Sequence, residues 1–255
     1  MENKFKQTNL NNILDLKNNF LKNGYLVIKQ NFEHNLAIKI INEINNADGT
    51  IKYFDSDGIL RRIEKIYDKG DELKNLNHKI LILLKNILDE EFVIFKDKFN
   101  AKPPGGEGFF AHYDGIFHFK DENNNTKNGW YEYGEVFINA LVALDECNKK
   151  NGTIEIAKIH EGNFSDLLKK TKKDGTPAIT DEIERNISFE VINLNIGDIV
   201  IFSNRCPHRS QKNYSKKNRR ILYYTYSLSK NGSKYYQYFE DKQKSKNLSK
   251  ALEKK

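Results

Sequence analysis

The sequence predicts an α+β fold, a two-sheet jelly roll with helices packed against its outside. Helical spacing of apolar residues is confined to the chain before Phe92, and a series of short β-runs separated by Gly, Pro, Asn and Asp follows it. A length of 255 residues suffices for one sizeable core and is one at which such folds commonly remain undivided. We therefore expect a single domain over residues 1–255, with its core within about 20–229 and a basic tail over about 237–255.

In chain order, Leu10, Ile13, Leu14, Leu16, Phe20 and Leu21 place a helix over Asn9–Asn23, and Gly24 stands where it must stop. Tyr25–Lys29 reads as a buried strand, and Leu36, Ile38, Ile40, Ile41 and Ile44 give Asn35–Asn46 the apolar side of a second helix. Asp48-Gly49 and Asp57-Gly58 mark turns. The irregular, charged stretch from Asn46 to Asn75, with Arg61, Arg62 and Lys65, reads as a surface loop or a lid facing the site. His78–Leu88 is a third helix, with His78 at a surface position. Strands are expected over Phe92–Asn100, Glu135–Leu144, Thr153–Ala157, Ile187–Ile192, Asp198–Ser203 and Arg220–Ser227, and the tail Gln237–Lys255 reads as a solvated terminus, with a short frayed helix as the alternative.

A formal charge of +7, spread over lysines along the whole chain, reads as a basic solvated surface rather than a nucleic-acid footprint. The only cysteines, Cys147 and Cys206, form no CxxC pair, which points to a reducing compartment and excludes a disulfide framework or thiolate zinc site. Met1–Gln7 carries no apolar signal region, and no run approaches a membrane span, so the cytoplasm is expected. The oligomeric state is not legible.

His112-Tyr113-Asp114 lies on an extended segment, where residues two apart point to the same side. The tripeptide is common by itself. His208, just past the Asp198–Ser203 strand, supplies a third donor if that strand returns beside the first. The three would then occupy one face of an octahedral metal and leave open positions. Arg219 starts the next strand and can enter the same cavity, where its guanidinium would grip a carboxylate bidentately. Arg220 is the weaker alternative, since adjacent strand residues face opposite sides.

Four segments resemble the phytanoyl-CoA dioxygenase family of Fe(II)- and 2-oxoglutarate-dependent oxygenases. They are Asn23–Ile28; the Lys102-Pro103-Pro104-Gly105 run ending in His112-x-Asp114; Ala140–Asp145 with Asn151–Glu155; and Gly197-Asp198 through His208-x-Ser210 to Arg219. The resemblance implies a cupin-like double-stranded β-helix with iron on His112, Asp114 and His208. It further implies that Arg219, helped by Ser210 and Lys102, binds the distal carboxylate of 2-oxoglutarate, and that dioxygen is the oxidant. Halogenating relatives lack the carboxylate ligand, so Asp114 favours hydroxylation. Two departures stand out: Ala157-Lys158-Ile159-His160 replaces Pro-Gly-Ser-His, and Tyr113 replaces the usual Gln, a change expected to alter the substrate side of the pocket.

Lys98–Phe109 is similar to the corresponding run of bacterial members that hydroxylate organophosphonates. Lys98, Arg205 and Arg209 would suit a small anionic substrate of that kind. Hydroxylation of an amino acid or acyl thioester is the alternative. Phe117, His118, Phe119, Trp130, Tyr131 and Tyr133 read first as packing and second as cavity lining. A basic nucleic-acid-binding module would leave the His, Asp and Arg spacing without a purpose.

Overall fold

The computed structural model describes residues 10–29 and 32–252, with side chains described over 13–29 and 32–245; the absence of a signal region at Met1–Gln7 lies outside them. The chain opens with α1 (Leu10–Asn23), β1 (Tyr25–Ile28), α2 (His34–Asn45), the hairpin β2 (Ile51–Phe54) and β3 (Leu60–Glu64), and α3 (Asp71–Leu88). Then come β4 (Phe92–Lys102), β5 (Phe109–His112), the small hairpin β6 (Phe119–Lys120) and β7 (Thr126–Lys127), β8 (Phe137–Ala143) and β9 (Ile154–Ile156). Two short helices, α4 (Phe164–Leu168) and α5 (Asp181–Arg185), precede β10 (Glu190–Val191), β11 (Ile199–Ser203), β12 (His208–Ser210), β13 (Arg219–Leu228) and α6 (Tyr235–Leu252).

Two antiparallel sheets form the jelly roll: a seven-stranded one in the order β1-β11-β8-β13-β4-β3-β2 and a four-stranded one in the order β10-β9-β12-β5. Strand alternation sorts the large sheet into two faces. Ile138, Ala140, Val142, Ile199, Ile201, Leu222 and Tyr224 point outward and join Ile40, Ile44, Leu73, Ile80 and Leu84 of α2 and α3 in the main core. Buried aliphatic side chains of this kind each contribute roughly 1.5–3 kcal/mol. Leu141, Ala143, Val200, Phe202, Ile221 and Tyr223 point inward and meet Ile154 and Ile156 of the small sheet. Buried hydroxyls on the helix side are satisfied: Tyr224 Oη donates to the Leu73 carbonyl and Tyr226 Oη to Asn77 Oδ1, both at 3.1 Å.

Three expectations need correction. The stretch from Asn46 to Asn75 is not a free loop: β2 and β3 extend the large sheet through Arg62↔Asn100 and Ile63↔Phe99. Its inward face is charged, so no hydrophobic alternation announces it. α3 begins at Asp71 rather than His78 because its amino end is capped by another helix. Glu43 of α2 accepts from the Glu72 and Leu73 amides at 3.0 Å, and Gly70 leaves the room this carboxylate needs. The tail is not wholly solvated, since α6 buries Tyr235 and Phe239 in the main core and Tyr235 Oη donates to buried Asp97 at 2.8 Å. Within the described residues, no helix is long and apolar enough to cross a membrane.

Candidate metal centre

His112 and His208 are direct cross-strand partners in the small sheet, one ending β5 and the other opening β12, with ring centroids 4.1 Å apart. Asp114 follows two residues after His112 and projects to the same side. The carboxylate lies between the imidazoles, with Oδ1 3.7 Å from His112 Nε2 and Oδ2 3.6 Å from His208 Nε2. All three side chains are buried, and their donor atoms lie within 4.8 Å of one another.

The donor set fits a cation. Each imidazole uses Nδ1 toward a carbonyl, Phe110 at 2.9 Å and Cys206 at 3.0 Å. A carbonyl only accepts, so Nδ1 carries the hydrogen and Nε2 presents its lone pair. Burial drives the His112 pKa down to about 3, reinforced by His208, and lowers that of His208 as well. Burial opposes ionisation of Asp114, yet His208, Lys98 and His112 outweigh it and hold the carboxyl at about 2. Two neutral nitrogen lone pairs thus face a carboxylate at separations too long for hydrogen bonds, an arrangement that repels unless a positive ion sits among them. The chain could hold a divalent metal here and leave positions free for other ligands.

Buried groups orient the carboxylate. Asn139 on β8 donates from Nδ2 to Asp114 Oδ2 at 3.0 Å, and Thr225 on β13 donates to Asn139 Oδ1 at 2.7 Å. Asn204 Nδ2 donates to the Asp114 carbonyl at 3.0 Å. Gly115 then turns the chain with φ +75°, and a Cβ there would sit 2.4 Å from the Trp130 ring, so only glycine admits the indole this close to the turn.

Farther along the inner face, Arg219 pairs with Lys102 across β13 and β4. Arg219 is 4% exposed, and its Nε has no partner among the described residues. Arg220 points the other way and grips Asp145 with Nε at 2.8 Å and Nη2 at 2.7 Å. The arginine left for an anion is therefore Arg219. Lys102 Nζ donates to Ser210 Oγ at 2.9 Å and to the Gly152 and Gln211 carbonyls at 3.2 and 2.6 Å, tying the two sheets together. Burial, with Arg219 and Arg61 nearby, lowers its pKa to about 7. Arg61 of β3 thus joins this cationic end, with its guanidinium against Gly106; the sequence offered it only within a stretch read as a surface loop or a lid facing the site.

Several expected residues go elsewhere. Tyr113 lies between the two donors in sequence and so points away from them, into a second cluster with Ile116, Leu167 and Ile179. Its hydroxyl meets His160 Nδ1 at 2.5 Å, so the residue that departs from the family pattern at 113 contacts the histidine that the changed 157–160 segment retains, on the far side of the strand from the donors. Arg209 is held by Glu155 and Glu184, both at 2.7 Å, and Arg205 donates to the His160 and Gly162 carbonyls. Trp130 packs with Phe95 and Phe137, Tyr131 with Phe164, and Tyr133 donates to Asp241. Exposed Phe109 and Phe110, stacked 4.4 Å apart and edge-on to His112, were missed; only their place before the motif could have marked them.

Residues 20–221 match the family described as Phytanoyl-CoA dioxygenase (PhyH). The chain is 27% identical over 241 residues to a 2-aminoethylphosphonate dioxygenase of the uncultured bacterium HF130_AEPn_1, covering 89% of this chain and 86% of that protein. It is 28% identical over 160 residues to a methylphosphonate hydroxylase of Gimesia maris, covering 62% and 54%. Among solved structures, EctD from S. alaskensis with 2-oxoglutarate and 5-hydroxyectoine superposes with a TM-score of 0.64 at 16% identity, over 85% of this chain and 76% of that one. The epimerase SnoN in complex with Fe3+, alpha ketoglutarate and nogalamycin RO gives 0.65 at 14%, over 84% and 83%. These last two likenesses establish the jelly-roll fold.

Proposed function

The chain belongs to the phytanoyl-CoA dioxygenase family, whose members are iron- and 2-oxoglutarate-dependent dioxygenases, and from that membership we propose that it hydroxylates a C–H bond of a small organophosphonate. The two curated relatives named for 2-aminoethylphosphonate and methylphosphonate support the substrate class. The observation that carries the reading is the convergence of two neutral imidazoles and one carboxylate with an unpaired arginine farther along the same inner face.

In this reading His112, Asp114 and His208 hold ferrous iron, and Arg219 grips the distal carboxylate of 2-oxoglutarate through its planar fork. Iron and 2-oxoglutarate, when bound, supply the activation of dioxygen needed to attack an unactivated C–H bond. The protein's part is positional. Nδ1–H bonds fix both imidazole tautomers, Asn139 turns the carboxylate, and Lys102 holds Ser210 beside the cosubstrate end. The whole of residues 1–255 serves as one oxygenase domain acting in the cytoplasm.

Anaerobic addition of Fe(II) and 2-oxoglutarate tests the centre through the weak visible band of the chelate. Admission of oxygen with methylphosphonate or 2-aminoethylphosphonate should then give succinate and a hydroxylated product in equal amounts. A chelate band with turnover of amino acids or acyl thioesters, but of no phosphonate, would keep the enzyme class and remove the substrate.

A further inference from the structure

The cations around the inner face are mostly committed. Arg219 and Lys102 belong to the cosubstrate end, and Arg205 and Arg209 are spent on carbonyls and carboxylates away from the donors. Arg62 lies over the Tyr53 ring at 4.3 Å and reaches Glu64 at 3.5 Å. Lys96 is 7% exposed and sits between the Trp130 and Tyr238 rings at 4.8 and 5.3 Å.

Lys98 differs from all of these. It lies directly across from Tyr223 on β13, and its ammonium stands 4.4 Å from that ring's centroid. A ring face attracts the charge and accepts no conventional hydrogen bond, so the three N–H donors remain available to an oxyanion. Lys98 is partly open to solvent where Lys96 is closed. Tyr223 in turn pairs with Leu141 on β8, two residues from the Asn139 that holds Asp114. Tyr223 is four residues from Arg219 on one face of β13, roughly 13 Å along the strand. This lysine therefore stands apart from the arginine, beside the metal centre.

We propose that Lys98 receives the anionic head group of the substrate, a phosphonate on the reading given above, and so selects which molecules present a C–H bond to the metal centre. A phosphonate offers three oxygens to three donors around a compact charge. An uncharged molecule of the same shape would leave the ammonium partly desolvated and unpaired, and would be rejected for that reason.

The test uses protein loaded anaerobically with Fe(II) and 2-oxoglutarate and titrated with methylphosphonate, 2-aminoethylphosphonate and a neutral alcohol of similar size. Binding is read from the shift of the chelate band, and turnover from succinate after oxygen is admitted. Lys98→Met should retain the chelate band while raising the phosphonate Kd and KM about 10- to 100-fold, and Lys98→Arg should recover most of the loss. Lys98→Gln replaces the Met variant if that one fails to fold. Unchanged phosphonate affinity in the variants overturns the role of Lys98 and leaves the phosphonate reading intact. Loss of the chelate band in a folded variant assigns Lys98 to the cosubstrate and also overturns it. Wild-type protein that binds no phosphonate removes the substrate reading and this inference together.

Discussion

Asn139 Nδ2 donates to Asp114 Oδ2 across the inner face of the jelly roll, and nothing in the sequence around His112 foretells it. A carboxylate accepts only, so the amide group of Asn139 must face Asp114 and its carbonyl must face Thr225. Asn139→Ala should weaken Fe(II) binding by about 10- to 100-fold, the usual effect of losing an outer partner of a metal ligand. Asn139→Asp should do worse, because it sets a second negative charge against the first. Anaerobic Fe(II) titration, with a melting curve to verify folding, checks both; equal affinity in all three proteins would dismiss Asn139 as a positioning group.

His208→Ala should abolish the chelate band. Arg219→Met should retain Fe(II) binding and weaken 2-oxoglutarate by about tenfold or more, since a charged hydrogen bond of this kind is worth about 1.5–3 kcal/mol. Arg220→Met supplies the contrast: it breaks the fork on Asp145 and should lower the melting temperature without altering 2-oxoglutarate affinity. Cosubstrate titrations of the two arginine variants side by side decide the matter, and a weakened Arg220 variant would reverse the assignment.

Cosubstrate affinity should fall as pH rises above about 7. Burial, together with Arg219 and Arg61, lowers the Lys102 pKa to about 7 in the free protein. A dianion bound nearby favours the charged ammonium, so binding above that pH takes up a proton, and affinity drops by up to about tenfold per pH unit. The sign for folding is opposite. Unfolded lysine keeps its proton up to about 10, so this group makes the ligand-free fold gain stability as pH rises through that window and lose it as pH falls through about 7. Calorimetry in buffers of different ionisation enthalpy detects the proton uptake, which Lys102→Met should eliminate.

Glu64 is fully buried, accepts from Lys242 at 2.5 Å and Tyr53 at 2.8 Å, and lies 3.5 Å from Arg62. Burial works against its charge, but Lys96, Lys242 and Arg62 hold its pKa at about 2. Glu64→Ala strands those cations and should cost about 3–5 kcal/mol of stability, as breaking one side of a buried pair does. Urea unfolding measures it; a loss below about 1 kcal/mol, the range of a surface pair, would show that α6 is held by its aromatic contacts alone.

What could be read in advance follows from where the information is stored. α1, α2 and β4 carry their own periodicity, and His112-x-Asp114, His208 and Arg219 are recognisable by type and order. The amino end of α3 was hidden because its cap comes from Glu43, far away in sequence. β2 and β3 were hidden because Arg62 and Glu64 occupy their inward positions, where apolar residues would have betrayed a strand. The docking of α6 was hidden because only Tyr235, Tyr238 and Phe239 anchor an otherwise polar sequence. Asn139 needed the pairing of distant strands before it acquired a role, and only that pairing separates Lys98 from Arg205 and Arg209, with which the sequence had grouped it. Tyr113 was misread for a simpler reason: the alternation that unites His112 and Asp114 sends the residue between them elsewhere.

The neighbouring arginines of β13 divide labour by parity alone, one facing the cavity and the other Asp145. A single-residue deletion in the turn before Arg219 that shifted the pairing would leave an arginine at the cavity mouth and preserve the composition of the segment. It would also bring Tyr224 beneath Lys98 in place of Tyr223 and carry Tyr223 to the helix-facing position of Leu222. Frame along this strand is thus itself a determinant of chemistry: the same shift sets Tyr226 where Thr225 meets Asn139, so a variant library that permits length changes there should lose the support of the Asp114 carboxylate while an arginine and a tyrosine still face the cavity.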